Sequence, residues 1–138
     1  MGLTHHELCF GCGAANVFGL QIELERADAD SASGHFFVKQ DHQGPPGFAH
    51  GGILATALDE AMSLLVHDAG IRALTAWFEV ELSAPAPVGT FVHLRSRIEQ
   101  RDPSKVRASA HAIGKEDGEE RELASARALF VASEAAEV

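Results

Sequence analysis

His50, Gly51, Gly52, Asp59 and Glu60 are the residues best placed for chemistry in this sequence. A loop, Gly44-Pro45-Pro46-Gly47, runs into the His50-Gly51-Gly52 step, and a long apolar stretch carrying two adjacent carboxylates follows. Glycines let a backbone come close to a ligand. A helix starting behind them presents unpaired N–H groups and the positive end of its dipole. A group that gains negative charge during a reaction is stabilised there.

A second cluster lies near the N-terminus, where Cys9 and Cys12 have the Cys-x-x-Cys spacing of a metal site or redox pair. With His5 and His6 they offer the thiolate and imidazole donors that zinc favours. Against this stand the lack of a second Cys pair and the usual mobility of terminal histidines. The plainer alternative is two reduced thiols in a Gly-containing turn that caps one edge of the domain. A redox motif of the thioredoxin type needs a strand before it and a helix after it, and neither pattern is visible. No bound metal and no cofactor are expected.

The elements that must position these residues follow from periodicity. Gly19 to Arg26 alternates Leu20, Ile22 and Leu24 with polar residues, as a half-buried strand does. Gly34 to Lys39 predicts a second strand, with Phe36 and Val38 on one face. Pro45 and Pro46 forbid helix or central strand in the loop that follows. A helix is predicted from about Gly51 to Ala69, stopped by Gly70. Ile53, Leu54, Ala57, Leu58, Ala61, Met62 and Leu65 form its apolar face. Thr56, Asp59, Glu60, Ser63 and His67 form a polar stripe that should meet solvent, a cleft or a partner subunit.

The remainder reads as β. Strands are predicted over Ala73–Ser83, Phe91–Gln100, Lys105–Ile113 and Ala124–Ala132, with an Asp117-Gly118 hairpin signal. In the first of them Phe78, Val80 and Leu82 alternate with Glu79, Glu81 and Ser83. One long helix followed by consecutive strands with short turns is an α+β pattern, with a sheet wrapped around the helix.

Composition limits the function classes. At 138 residues the chain is expected to be one domain over 1–138, with a Cys-containing N-terminal segment over 1–18 and a frayed tail over 134–138. A net charge of −9 argues against a nucleic-acid partner. Charged residues interrupt the longest apolar run, so no membrane span is expected. No basic n-region or apolar h-region opens the chain, so a cytoplasmic protein is expected.

The stretch from Gln43 to Met62 resembles the hot-dog-fold thioesterase superfamily, of the phenylacetate-pathway and 4-hydroxybenzoyl-CoA thioesterase type, in its HGG…D branch. The carrying residues are His50-Gly51-Gly52 and, on the same helix, Asp59. The Cys9-Phe10-Gly11-Cys12-Gly13…Asn16…Gly19-Leu20 start and the Thr75–Leu82 strand with its following prolines resemble the same branch. The resemblance implies an antiparallel sheet around one helix, paired into a homodimer or homotetramer, with active sites at the dimer interface. It implies an acyl-CoA thioesterase that releases free acid and CoA. Gly51 would donate its backbone N–H to the thioester oxygen, and Asp59 would act as nucleophile or general base, supplied by the opposite subunit. His50 and Thr75 would orient substrate and water. Glu60 is the rival carboxylate. Gly52, Gln43 and Phe48 would line the substrate site. Arg107, within the basic group Arg95, Arg97, Arg101, Lys105 and Arg107, would meet CoA phosphates. Related branches carry Asn or Gln six residues before the His, where this chain has Gly44. The alternative is a non-catalytic hot-dog module that binds acyl-CoA or another ligand.

Overall fold

The computed structural model describes residues 2–134. Of the tail expected to fray, 134–138, all but Glu134 lies outside the described residues. The elements in chain order are β1 (Glu23–Asp28), β2 (Ser31–Phe37), a short 3-10 turn (Gln40–His42), α1 (Gly51–Asp68), β3 (Ala73–Leu82), β4 (Phe91–Asp102), β5 (Lys105–Glu116) and β6 (Glu119–Ala132). The strands form one antiparallel sheet in the order β1-β2-β4-β5-β6-β3. Helix α1 packs on its inner face against β2, β3, β4, β5 and β6.

The inner face explains how a broad helix fits there. Ala108, Ala110 and Ala112 of β5 lie beside Ala124, Ala126 and Ala128 of β6, all buried. Their short side chains keep the sheet low under the helix. Leu54, Leu58, Met62, Leu64 and Leu65 of α1 fill the space above, each almost wholly removed from water. Burying such a side chain contributes about 1.5–3 kcal/mol. The helix ends as the sequence predicts: Ala69 caps it, and Gly70 takes a φ of +82° that favours glycine.

Most strand ends shift by up to three residues from the sequence pattern, as in β2, β4 and β5, and two boundaries shift further. β1 begins at Glu23 and not at Gly19, because the Leu20 and Ile22 N–H groups bond to the Phe10 and Gly11 carbonyls. The apolar alternation there is real, since Leu20, Ile22 and Leu24 are all buried, but its first half belongs to the N-terminal segment. β6 begins at Glu119, five residues before the expected Ala124. The hairpin through Asp117 (φ 51°) and Gly118 (φ 83°) extends the pairing outward into polar sequence that hydrophobic patterning does not register. No helix of the described residues is long and apolar enough to cross a membrane.

Candidate active site

The loop before α1 is closed by its own hydrogen bonds. Gln43 accepts the Gly47 N–H through Oε1 at 2.8 Å, with Gly47 at a φ of 87°. Ala49 donates to the Ala86 carbonyl at 2.8 Å, and His50 donates to the His42 carbonyl at 2.8 Å. His42 is buried and neutral in role: Nδ1 accepts the Lys39 N–H, and Nε2 faces the Gly19 carbonyl. Burial pushes its pKa below the ordinary 6.5, with Lys39 acting in the same direction. Gly44 has no room for a side chain, because a Cβ there would lie 2.8 Å from the His50 Cα. The accessory polar side chain expected from the resemblance six residues before His50 is therefore sterically excluded at Gly44.

The helix start leaves one donor open. Gly52 donates its N–H to His50 Nδ1 at 2.9 Å, so His50 is the N-cap residue. The Ile53 and Leu54 N–H groups both bond to the His50 carbonyl. The Gly51 N–H has no hydrogen-bond partner among the described residues. It sits at the positive end of an 18-residue helix.

Asp59 lies two turns further along α1 and accepts a hydrogen bond from the Thr75 hydroxyl at 2.9 Å. A β-bulge creates this contact. In β3, Thr75 pairs with Phe130 and Trp77 with Leu129, so Ala76 is an extra residue in the strand. Strict alternation from Phe78 and Val80 would turn Leu74 and Ala76 inward and Thr75 outward. The bulge inverts this, so that Thr75 faces the helix and Leu74 is left half exposed. Burial raises the Asp59 pKa above its ordinary value, and the neighbouring Glu60 charge adds to the rise. The Thr75 bond and the more distant His5 charge oppose it.

Glu60 faces away from this group. Its carboxylate is 8% exposed and lies under the N-terminal segment, 3.0 Å from His5 Nδ1 and 3.2 Å from Cys9 Sγ. Burial alone would raise its pKa. Hydrogen bonds from His5, Cys12 and Cys9, with the His5 charge, outweigh burial and hold it low. His5 is correspondingly pushed up to about 11, by Cys12 and then Glu60, against burial. Ser63 stands 3.3 Å from His5 Nε2, and the His67 ring packs edge-on against His5 at 5.0 Å. The polar stripe of α1 is thus divided. Asp59 looks toward β3, while Glu60, Ser63 and His67 are covered by residues before position 13.

The remaining expected residues scatter. Phe48 is partly exposed beside the helix start and bridges to Pro87. Gln43 is engaged within its loop through both ends of its amide. Arg107 is exposed on β5, on the sheet face opposite the helix, between buried Val106 and Ala108. Of its basic neighbours, Arg95 pairs with Glu120 and Arg101 with Asp30. Sequence reasoning missed two neighbours of the site: Leu82, whose Cδ1 stands 2.9 Å from where a Gly51 Cβ would be, and His5 as the partner of Glu60. A concavity of about 1340 Å³ lies between the N-terminal segment and β1, β2 and β4, and includes none of Gly51, Asp59 and Thr75.

No family model matches the chain. It is 34% identical over 76 residues to acyl-coenzyme A thioesterase THEM4 of Xenopus laevis, an alignment covering 54% of this chain and 34% of that protein. The chain therefore spans about a third of that relative's length. A solved thioesterase superfamily protein superposes with a TM-score of 0.80 at 25% identity, over 91% of this chain and 60% of that one. A hypothetical thioesterase protein of Streptococcus pneumoniae, solved with coenzyme A, superposes at 0.74 with 16% identity, over 81% and 85% of the two chains. A likeness at that identity is one of fold. The architecture expected from the sequence is the one observed: the chain has the hot-dog fold, and its structural neighbours are thioesterase superfamily proteins.

Proposed function

We propose that the chain is an acyl-CoA thioesterase that works as a homodimer, or a pair of such dimers, with each active site divided between two subunits. The observation that carries this reading is the open Gly51 N–H at the start of a helix that also bears a half-buried Asp59. Hydrolysis of a thioester develops negative charge on the carbonyl oxygen. A backbone N–H with the helix dipole behind it meets that need, and loss of one such donor typically costs about 2.7–4 kcal/mol. Asp59 would present water or attack the carbonyl itself, with Thr75 orienting it. The names of the relatives, and the coenzyme A held by a structural neighbour, support acyl-CoA as the substrate.

The division between subunits rests on distance. Gly51 and Asp59 are separated by about 12 Å of helix rise, at about 1.5 Å per residue. One thioester carbonyl cannot touch both groups of the same helix. A second copy running past the first brings its Asp59 to this Gly51. β3 is an edge strand of the sheet, and Leu74, Trp77 and Leu82 along it are exposed apolar residues. Pairing β3 with its copy would cover them beside the site.

The test is thiol release from a panel of short, medium, long and aryl acyl-CoA thioesters. Gly51→Pro removes the N–H but also brings a Cβ against Leu82 Cδ1, so Gly51→Ala, which keeps the N–H and makes the same contact, is its control. Pro is favoured at the first helical position, and His50 before it already has the extended backbone that precedes proline. Gly51→Pro and Asp59→Asn should each lose at least about 100-fold in kcat. Mixed and reassembled, they should recover about a quarter of the wild-type activity, because one site of each heterodimer then has both wild-type groups. Full activity in either single variant overturns the residue's role, and failure of the mixture to recover overturns the shared site. Tight acyl-CoA binding without turnover in the wild type would instead make the chain a binding module.

A further inference from the structure

The structure gathers four potential donor atoms that the proposed thioesterase chemistry does not use. His5 Nδ1, Cys9 Sγ, Cys12 Sγ and a Glu60 carboxylate oxygen all lie within 4.8 Å of one another. Individual separations are 3.0 Å for His5 to Glu60, 3.2 Å for Cys9 to Glu60, and 3.8 Å from His5 to each sulfur. A tetrahedral zinc ion with bonds of about 2.0–2.3 Å holds its donors about 3.3–3.8 Å apart. We propose that these four side chains form a closed divalent-metal site, with zinc as the ion that two thiolates, an imidazole and a carboxylate suit best.

The chain around the cluster is shaped to this arrangement. Cys9 to Cys12 forms a tight knuckle, with the Gly13 N–H bonded to the Cys9 carbonyl at 2.8 Å. Gly11 sits directly on Glu60: a Cβ at position 11 would lie 2.5 Å from the Glu60 Cδ. Gly13 and Gly19 are equally confined, by the Glu7 and Phe10 carbonyl oxygens. The outer contacts are those a metal-ligand shell needs. The His5 backbone N–H points at Cys12 Sγ at 3.2 Å, and Ser63 Oγ is placed to accept from His5 Nε2 at 3.3 Å. A ligating imidazole characteristically engages its second nitrogen in this way, which fixes tautomer and orientation.

The site departs from the metal-free expectation and from the His5, His6, Cys9, Cys12 set that the sequence alone suggests. His6 is exposed, and its Nδ1 accepts the Leu8 N–H. Its place is taken by a carboxylate on α1, far along the chain. The consequence is mechanical. An ion held here ties the irregular N-terminal segment to the helix turn that carries Asp59. It also takes over the balancing of the buried Glu60 charge that His5 provides without the ion. Coordination by Cys requires the thiolate, so binding releases protons and strengthens as pH rises.

The test uses untagged full-length protein purified with reductant and without chelator. Elemental analysis should find one zinc per chain. Protein stripped with a chelator and reloaded with Co(II) should show the visible bands of a tetrahedral cobalt site and thiolate-to-cobalt charge transfer. Cys9→Ser and Cys12→Ser should each lower that charge-transfer band by about half, since one of two sulfur donors remains. Glu60→Gln should weaken zinc binding at least about tenfold in competition with a chromophoric chelator. His6→Ala should bind as the wild type does. Should the cysteine variants fail to fold, the wild-type cobalt spectrum and chelator competition decide alone. A wild-type chain with only trace zinc and no thiolate–cobalt band overturns the proposal, as does a Cys9–Cys12 disulfide in protein isolated without oxygen. Unchanged affinity in Glu60→Gln overturns the four-ligand set.

Discussion

Asp59 and Glu60 are neighbours in the chain and on one helix, yet they occupy opposite environments. Asp59 has a single hydroxyl partner, Thr75, on an edge strand, and burial leaves its charge under-compensated. Glu60 is more deeply buried and is surrounded by His5, Cys9 and Cys12, which favour its charge. The difference comes from what covers each flank of α1. A strand with a bulge covers the Asp59 flank with one hydroxyl. A folded-back N-terminal segment seals the Glu60 flank with donors. A carboxylate left short of partners is available for chemistry, and a satisfied one holds structure.

The largest effect that bears on this contrast is on turnover. Asp59→Asn should lose at least about 100-fold in kcat while its unfolding free energy, from denaturant titration, holds or rises, because a poorly compensated charge is removed. Glu60→Gln should show the reverse order, with its first loss in stability. Breaking the ionic hydrogen bond to His5 costs about 1–3 kcal/mol. If Glu60→Gln lost turnover as deeply as Asp59→Asn without loss of stability, the two roles would have to be exchanged.

Gly11→Ala reaches the same flank from its other side. Its Cβ would collide with the Glu60 side chain, so a loss of about 1–3 kcal/mol in denaturant titration is expected, with Asp59 untouched. On the open flank, Thr75→Val should lower kcat/KM by about tenfold or less, the worth of one hydrogen bond, and Thr75→Ser should restore most of it. Equal kinetics for the Val variant would remove Thr75 from the site.

The smallest effect lies in the loop that leads to Gly51. The folded pKa of His42 is lower than its unfolded value of 6.5, so the unfolded chain binds its proton more readily. Its contribution to stability is therefore complete above pH 6.5 and is lost as pH falls through the lower folded pKa. Protonation also removes the acceptor for the Lys39 N–H. His42→Gln should flatten the acid limb of the stability profile, and an unchanged limb would show that His42 does not contribute to it.

Much of this was legible locally. The helix bounds, the Gly70 stop and the Asp117-Gly118 hairpin follow from periodicity and backbone sterics, which act over a few residues. The His50-Gly51-Gly52 step is legible for the same reason, since an N-cap and its open N–H belong to one turn. The apolar positions of β1 and its preceding segment were also correct as a burial pattern, although half of them belong to no strand.

The polar stripe marks the boundary. Helical spacing places Thr56, Asp59, Glu60, Ser63 and His67 on one side of α1, and periodicity cannot tell them apart. Thr75 reaches Asp59 because Ala76 is an extra residue opposite β6, and a bulge depends on the partner strand and not on the strand's own composition. Glu60 meets His5 and the two cysteines because the segment before β1 folds back across the helix. Those contacts join residues far apart in sequence, and their chemistry depends on distance and burial. Residue types and spacing determined that this chain makes a long helix with an open N–H at its start and carboxylates along it. Which carboxylate is left with one hydroxyl partner, and which is enclosed among His5, Cys9 and Cys12, was settled by the packing of distant segments on its two flanks.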